Sequence, residues 1–471
     1  MSIPFEVKNV LLQIFSIFLY FFKKIKISFE KFLSNFEKKD YISLLIITIY
    51  ILAFLKPVVS GDGFGYYAIM EGIFRYQTLN LTNELRFNEI SPNEGLILFY
   101  NETGIYSSYH FPVIAIISAP VYMTSLFLSN FEIFHIKDEF FIRERGDILI
   151  NQASIPITSI IFLYAGLFAT LFFLKKYYSK KYAWLALLLV FFSTSLIRYA
   201  VYDLSYTHAL EAGLMGILIL LFLRDSNKIY MGILLGMLTM LHYNSAIFIL
   251  PFLIYYLYQK RKEDVLKIII GLLPFAVIIM TYNTLVFGGP FSIGYGEYLE
   301  SPETSIFPIH FFQLIFDLDR GILWWTPAII ISTFGLLLVK DRGKKYLFIS
   351  LILLNVYFMS SFQCWDGAWG FGNRFFAMFF PIYCIGTVKI LEEIPKYRHI
   401  LYFSAIYTVL IYFMFLAYTP TPLSILPIWA NFLSPEHLIN LPALIFTKIG
   451  IVRFLLEIGP CVGMECLKFL T

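Results

Sequence analysis

The sequence predicts an all-α polytopic membrane protein, and three observations lead to this fold class. Hydrophobic residues make up 59% of the 471 residues and charged residues 14%, and the mean hydropathy is +0.73. The apolar segments are continuous runs, whereas strands of a membrane β-barrel alternate apolar and polar residues. The net charge of +4, from 36 Lys and Arg against 32 Asp and Glu, is too small to indicate nucleic acid as a partner. Membrane lipid is the predicted surrounding.

The first segment, residues 1–40, is predicted to lie at the membrane surface. Its apolar stretch Val10–Phe22 has no small-residue cleavage site and is followed by Lys23, Lys24 and Lys26, which is not typical of a removed signal peptide. We expect an interfacial amphipathic helix on the cytoplasmic side, with a short span as the alternative.

Residues 41–420 are predicted to form one transmembrane module of about 11 helices, some shorter than the ~20 residues that a straight span needs. Kinks or shielding by neighbouring helices are therefore expected. The apolar segments are Tyr41–Leu55, Ala153–Leu174, Tyr182–Ile197, His208–Leu223, Tyr230–His242, Ser245–Tyr258, Lys267–Phe287, Leu323–Val339, Tyr346–Ser361, Phe376–Ile390 and Ile400–Tyr418. Residues 421–471 follow as an external or membrane-associated tail.

Basic residues divide the connections between these segments into two sets. The connections with basic clusters are predicted to be cytoplasmic; they hold Lys175–Lys181, Arg224–Lys228, Lys260–Lys262, Lys340–Lys345 and Lys396–His399. All these clusters, and the N-terminal lysines, share one side only if the apolar stretch Pro112–Phe131 does not cross the membrane. Residues 60–151 then form one large external loop that carries its own interfacial helices.

Asp62, in this first external loop, is the leading catalytic candidate. It follows the first apolar segment, and Gly61 and Gly63 beside it allow the backbone to turn and present the carboxylate to a cavity. Ionisable residues near membrane depth mark functional sites; the alternative is that Asp62 merely caps a helix. As a base in a partly desolvated loop, Asp62 is expected to have a raised pKa.

The other external loops bring polar and aromatic residues to the same face. Arg binds phosphate through two parallel hydrogen bonds, Asp can accept a proton from a hydroxyl group, and aromatic rings offer flat apolar faces for sugars. The candidates are Asp203 as a second catalytic acid and, for substrate binding, Tyr66, Tyr109, His110, His208, Tyr295, Arg320, Trp365, Asp366, Trp369 and Arg374.

Several of these candidates have a structural alternative. The tryptophans fit an interfacial aromatic belt, Asp203 and His208 fit helix caps, and Arg320 fits a local ion pair with Asp317 and Asp319. The four cysteines have no metal-ligand spacing, so no metal ligand is predicted from them, and a pairing of Cys461 with Cys466 stays open.

Short motifs occur in a fixed order along residues 41–390. They are Gly61-Asp62-Gly63 with Tyr66-Tyr67, Tyr109-His110-Phe111-Pro112 with Ala119-Pro120, Lys175–Lys181 with Ala183, Tyr282-Asn283 with Phe287-Gly288-Gly289-Pro290 and Gly294-Tyr295, Arg320-Gly321-Ile322-Leu323 with Thr326-Pro327, and Trp365–Gly372 with Arg374 and Pro381. This ordered set resembles the GT-C glycosyltransferases, in the branch near protein O-mannosyltransferases and the lipid A aminoarabinose transferase. The chain departs from that branch at His110-Phe111, in place of a Tyr-Pro-Pro motif, and at His242-Tyr243, in place of a lysine or arginine.

The resemblance implies a GT-C-like bundle, the same non-spanning helix, and a multi-pass protein of the plasma (inner) membrane with its active site on the extracytoplasmic face. It implies a polyprenyl-phosphate-linked sugar as donor, transferred with inversion to a glycan, lipid or protein acceptor. Asp62 matches the catalytic acid of the family, and Asp203 matches a second external acid less closely. No cofactor is required, and a divalent metal held by these two acids stays an option.

Two other functions stay open from the sequence. A lipid-linked glycan polymerase or ligase would share the lipid and the membrane face but rely on Arg and His more than on an Asp of the first loop. A non-enzymatic transporter or flippase is expected to have internal repeats and ionisable groups at the midplane. This chain has no evident repeat and places its charges at one face, which favours an enzyme.

Overall fold

A computed structural model describes residues 34–81, 97–100, 102–129, 148–294, 301, 303–318, 320–367, 370–418 and 445. Its α-helices are α1 (Lys38–Phe54), α2 (Asp62–Glu71), α3 (Val113–Leu128), α4 (Ile148–Gln152), α5 (Ser154–Tyr177), α6 (Ala183–Phe192), α7 (Leu196–Tyr199), α8 (His208–Leu223), α9 (Lys228–Leu241), α10 (Ile249–Tyr258), α11 (Lys262–Phe287), α12 (Phe311–Phe316), α13 (Ile322–Trp325), α14 (Pro327–Gly335), α15 (Arg342–Ser360), α16 (Phe380–Glu393) and α17 (Arg398–Tyr418). A π-helical turn covers Gly72–Tyr76, and 3-10 turns cover Tyr243–Phe248, Leu336–Leu338, Arg374–Phe379 and Pro395–Tyr397. The interfacial helix expected at Val10–Phe22 and, apart from Ile445, the tail 421–471 lie outside the described residues.

Within the described part of the chain, four helical stretches are long and apolar enough to cross a membrane: Ile150–Tyr177, Lys262–Phe287, Arg374–Glu393 and Pro395–Ala417. The prediction of a helical membrane protein is thereby confirmed in its general form. The count of about 11 spans and the GT-C arrangement stay predictions, because the remaining apolar helices are shorter than a straight span. The apolar stretch Pro112–Phe131 contains the 16-residue helix α3. That this helix does not cross the membrane also stays a prediction.

The four long stretches differ in their surroundings. In the most apolar part of Arg374–Glu393, 89% is buried inside the protein, whereas in the most apolar part of Lys262–Phe287 only 17% is buried. Beyond its charged first turns, this helix exposes mostly apolar side chains, among them Leu273 and Val277, as expected for a helix that faces lipid. Helix α16 therefore lies at the centre of the bundle and α11 at its lipid-facing periphery.

Two predicted segments are broken near the loops that are predicted to be external, and the breaks have local causes. Segment Tyr182–Ile197 divides into α6 and α7, and the hydroxyl of Thr194 at the break donates a hydrogen bond of 2.9 Å to the carbonyl of Val190. This hydrogen bond provides a donor to a carbonyl that loses its usual backbone partner where the helix is interrupted. Segment Leu323–Val339 divides at Thr326, before Pro327, which has no backbone N–H and starts α14.

The connection between α2 and α3, which is predicted to be external, contains a short β-hairpin that the sequence analysis did not predict. Strands β1 (Ile97–Tyr100) and β2 (Ile105–Ser108) pair in antiparallel register. In segments this short, the periodicity of apolar residues does not distinguish a strand from a helix. The hairpin rests on the end of α11: the Thr103 hydroxyl donates to the carbonyl of Val286 over 2.8 Å, and the rings of Tyr100 and Phe287 lie 4.7 Å apart.

Helices α5 and α8 pack backbone against backbone through small residues. A Cβ atom on Gly213 would lie 2.1 Å from the carbonyl oxygen of Phe162, and one on Gly166 would lie 2.3 Å from the Cα of Gly213. Distances this short admit no side chain larger than hydrogen. Small residues at a helix interface allow such close packing where water supplies no hydrophobic driving force.

The bundle has two chemically distinct ends. At one end the buried Lys175 forms a salt bridge with Asp40, the buried acid in the first turn of α1. At the other end the backbone N–H of Val59 donates to the side chain of Gln152 over 3.3 Å. Helices α1 and α5 are thus antiparallel neighbours, with the basic turn after α5 at the end opposite to Asp62.

The topology prediction can be tested with single cysteines in a variant whose four natural cysteines are replaced. Glu303→Cys and Lys180→Cys are matched because both positions are exposed to solvent in the structure. An impermeant maleimide applied to intact cells should label position 303, and position 180 only after the membrane is opened. External labelling of position 180 would reverse the predicted orientation.

Candidate active site

The backbone around Asp62 is held in direct contact with the connection between α7 and α8, the second of the predicted external loops. Gly61 precedes α2 with a φ of +48°, a conformation that side chains disfavour, and a Cβ there would lie 1.7 Å from the hydroxyl of Tyr206. A Cβ on Gly63 would lie 2.3 Å from the hydroxyl of Ser205. The glycines are thus required by close packing, and they fix Asp62 as the first residue of α2.

Asp62 forms an ion pair with Arg374, a residue about three hundred positions further along the chain. Their Oδ2 and Nη1 atoms are 2.9 Å apart, and the side chains are 19% and 14% exposed respectively. The guanidinium also lies 5.3 Å from the ring centre of Tyr206. Its Nε is buried and has no hydrogen-bond acceptor among the described residues. Arg374 therefore keeps donor capacity for an additional anion.

The pKa of Asp62 is lower than that of an ordinary aspartate. Burial acts to raise this pKa, and the positive charge of Arg374 is the largest contribution that lowers it. The expectation of a raised pKa was wrong, because the sequence alone does not place Arg374 beside Asp62, and desolvation was the effect considered. In this state of the protein, Asp62 is ionised at neutral pH.

Three predicted substrate-binding residues form an aromatic stack beside the ion pair. The ring of Tyr66 lies 4.1 Å from that of His110 in a stacked arrangement, and Tyr109 covers His110 at 4.3 Å. Burial lowers the pKa of His110 to about 3, so this histidine is neutral at physiological pH. The hydroxyl of Tyr282 on α11 donates to the backbone carbonyl of His110 over 3.2 Å, which holds the stack in place.

Asp203, the predicted second acid, contacts residues that position the first loop. It accepts a hydrogen bond from Nε of Arg198 and another, over 3.4 Å, from the hydroxyl of Ser60. Asp203 itself is 5% exposed. With its oxygens engaged in this way, it is placed to orient the chain that leads into Asp62.

The Trp-rich loop that precedes Arg374 is fixed by two buried polar side chains. Arg320 donates to the carbonyl of Gly370 over 2.8 Å, and Asn373 donates to the carbonyl of Trp365 over 2.6 Å. The ring of Trp365 stacks with that of His310 at 6.0 Å, and Asp366 is half-buried in the same loop. The structure thus gives Arg320 a supporting position. The predicted residues Tyr295 and Trp369 lie outside the described residues.

A second polar cluster lies behind Arg374, and the sequence analysis identified only one of its members as a site residue. Nδ1 of His208 is 3.2 Å from Oε2 of Glu211, while Nδ1 of His242 contacts Oε1 of the same carboxylate. The two imidazole rings are nearly parallel, with centres 5.2 Å apart. The sequence signal was the His-x-x-Glu spacing, which places both side chains on one face of a helix, together with ionisable residues in apolar segments.

Comparisons with protein-family models, with curated proteins and with solved structures find no match to this chain. The resemblance to GT-C glycosyltransferases therefore stays a hypothesis.

Proposed function

We propose that this protein is a membrane glycosyltransferase, which transfers a sugar from a polyprenyl-phosphate donor to a glycan, lipid or protein acceptor on the extracytoplasmic face of the inner membrane. The observation that carries the proposal is the Asp62–Arg374 ion pair at 2.9 Å. One member can accept a proton and the other can bind a phosphate. A transfer from a lipid-linked sugar phosphate needs both.

In the proposed reaction, Asp62 accepts the proton of the acceptor hydroxyl as that oxygen attacks the anomeric carbon. The bond between the anomeric carbon and the phosphate oxygen breaks on the opposite face, so the configuration is inverted. The lipid phosphate leaves with the bonding electrons, and Arg374 balances its growing negative charge. No metal is required for this step, because a phosphate monoester with an arginine partner is an adequate leaving group.

The ion pair also offers a way to activate the base. A donor phosphate that binds Arg374 competes with Asp62 for the guanidinium, and the buried Nε supplies a donor for it. Once Arg374 also pairs with the phosphate, its positive charge lowers the pKa of Asp62 less than before, and burial then raises that pKa. The carboxylate thus becomes a stronger base when the donor is in place.

The neighbouring residues have supporting roles in this proposal. Tyr109, the partly exposed ring of the stack, offers an aromatic surface for a sugar ring, and the buried His110 and Tyr66 support it from behind. Asp203 keeps the first loop in position through Ser60. Apolar side chains exposed on α11 supply a surface in contact with the lipid in which a polyprenyl chain dissolves.

We expect the pH dependence of the reaction to report this exchange of partners. The fall of kcat/KM for the donor at low pH, its acid limb, reflects the free enzyme, in which the pKa of Asp62 is lowered. The acid limb of kcat reflects the complex with bound donor. The limb of kcat should therefore lie at higher pH than the limb of kcat/KM. Coincident limbs would contradict the competition between phosphate and Asp62 for Arg374.

The function itself is tested by combining genetics with reconstitution. Deletion of the gene should remove one sugar from an envelope glycan, lipid or protein, and the purified protein should release polyprenyl phosphate from a donor that carries this sugar. Loss of chain length rather than of one sugar would indicate the polymerase or ligase alternative. Unchanged envelope glycans, together with no release of polyprenyl phosphate, would refute the proposal.

A further inference from the structure

A carboxylate and two imidazoles meet in the apolar interior behind the ion pair. His208 and Glu211 are 1% and 2% exposed, and the side chain of His242 is 13% exposed. His208 and Glu211 lie one turn apart on α8, and His242 is the first residue after α9, the helix that pairs with α8 in the hairpin. Three side chains from a short helical hairpin are therefore directed at one point.

The charge of Glu211 in this place needs an explanation. Its salt-bridge partners in the described part of the chain are the two histidines, and neither Lys nor Arg is among them. An isolated carboxylate buried in apolar surroundings is strongly unfavourable. A bound cation between the three side chains would balance the charge.

The spacing of the donor atoms fits a metal ion. One ligand atom from each of the three residues lies within 4.8 Å of the others. The separation of 3.2 Å between Nδ1 of His208 and Oε2 of Glu211 is close to the edge of roughly 3.3 Å that tetrahedral zinc with bonds near 2 Å requires. Nδ1 of His242 is in direct contact with Oε1 of Glu211, so this imidazole has to move outward to admit an ion. The two imidazoles approach different oxygens of the same carboxylate. Imidazole and carboxylate together favour first-row transition metals over Mg²⁺ or Ca²⁺.

We infer that His208, Glu211 and His242 bind one divalent transition-metal ion, with Zn²⁺ as the best-fitting ion. Three protein ligands leave a fourth position for another donor, as in zinc sites that interact with substrates. The hydroxyl of Thr207 lies 3.3 Å from Nδ1 of His242 and borders the cluster. This inference does not depend on the proposed sugar transfer.

The metal would add positive charge next to the ion pair. The ring of Phe375 lies 5.7 Å from that of His208 and 5.8 Å from that of His242, and Phe375 directly follows Arg374 in the chain. A cation in the cluster therefore stands behind the arginine that faces Asp62, where it favours the binding of an anion in the site.

The test is the metal content of the full-length protein, purified in detergent from cells grown with added zinc. Elemental analysis should find about one zinc ion per chain, and Glu211→Gln and His242→Gln should each lose most of it. The matched control is Glu71→Gln: Glu71 is also buried, at 6%, but it accepts hydrogen bonds from Tyr67 and Tyr122 and lies outside the cluster. Equal zinc in the wild type, the control and both cluster variants would overturn the inference.

A second measurement uses only the wild-type protein, in case the variants fail to fold. After treatment with a chelator, Co²⁺ should produce the visible absorption of a four-coordinate site, and Zn²⁺ should displace Co²⁺ and raise the unfolding temperature. A wild-type protein that binds neither ion would show that the three residues are a hydrogen-bonded cluster instead. Neither readout requires sugar transfer, so failure here is separate from failure of the proposed function.

Discussion

Replacing Asp62 with Asn should reduce the turnover number by about 10²–10⁴-fold, the usual contribution of a general base. Asn has nearly the same shape as Asp but cannot accept a proton from the acceptor hydroxyl. Donor binding should be retained or strengthened, because the carboxylate that competes with the donor phosphate for Arg374 is gone. Initial rates of sugar transfer and an independent donor-binding isotherm measure the two effects.

This combination distinguishes a catalytic role from a structural one. A residue that only caps α2 can be replaced by Asn, which is an equally good cap, without loss of activity. A residue that only maintains the loop should affect turnover and donor binding in the same direction. The control is Asp203→Ala, which removes the positioning contacts with Ser60 and Arg198 and should weaken both turnover and donor binding. Full activity of Asp62→Asn would refute the catalytic assignment.

Replacing Arg374 with Lys should weaken donor affinity by about 1–3 kcal/mol, which is the range for a charge-assisted hydrogen bond to a phosphate. Lysine keeps the positive charge and can still approach Asp62, but it lacks the planar group that offers two parallel donors. It also leaves no counterpart to the buried Nε. The measurement is the dissociation constant of the donor for the purified variant.

Two comparisons separate phosphate binding from support of the loop. Arg75→Lys is the matched control, because Arg75 pairs with Glu71 at 3.4 Å on the outer side of α2 and its side chain is 34% exposed; donor affinity should not change. The thermal unfolding of Arg374→Lys reports any general loss of structure. If donor affinity stays at the wild-type value, Arg374 would be a structural residue of the Trp-rich loop.

The helices themselves were the most predictable part of the structure. Long apolar runs with basic ends determine where a chain can lie in lipid, and the first predicted segment, Tyr41–Leu55, corresponds to α1 at Lys38–Phe54. The breaks at Thr194 and Thr326 were less predictable, because a hydroxyl or a proline can be accommodated within a helix or can end it, depending on its neighbours. The hairpin at residues 97–108 was missed because its strands are too short for periodicity to distinguish strand from helix.

The candidate site was predictable in its residue types and not in its pairings. Asp62 and Arg374 were both identified from the sequence, but their contact depends on the packing of loops far apart in the chain. Without that contact, burial alone suggested a raised pKa for Asp62, and the direction was wrong. Glu211 was missed because it lies within an apolar segment, and only the fold brings His242 to it.

The position of α11 has a mechanical consequence. Of its 26 residues, the apolar part Lys267–Phe287 gives a length of about 31 Å at 1.5 Å per residue, close to the roughly 30 Å of the hydrocarbon core of a bilayer. The helix can cross such a bilayer with little tilt, and its C-terminal end contacts the hairpin through Val286 and His110 through Tyr282. A thinner bilayer increases the mismatch and the tilt, which would shift His110 relative to Arg374 on the central stretch. The acyl-chain length of the surrounding lipid thus becomes a determinant of how well the two halves of the site align.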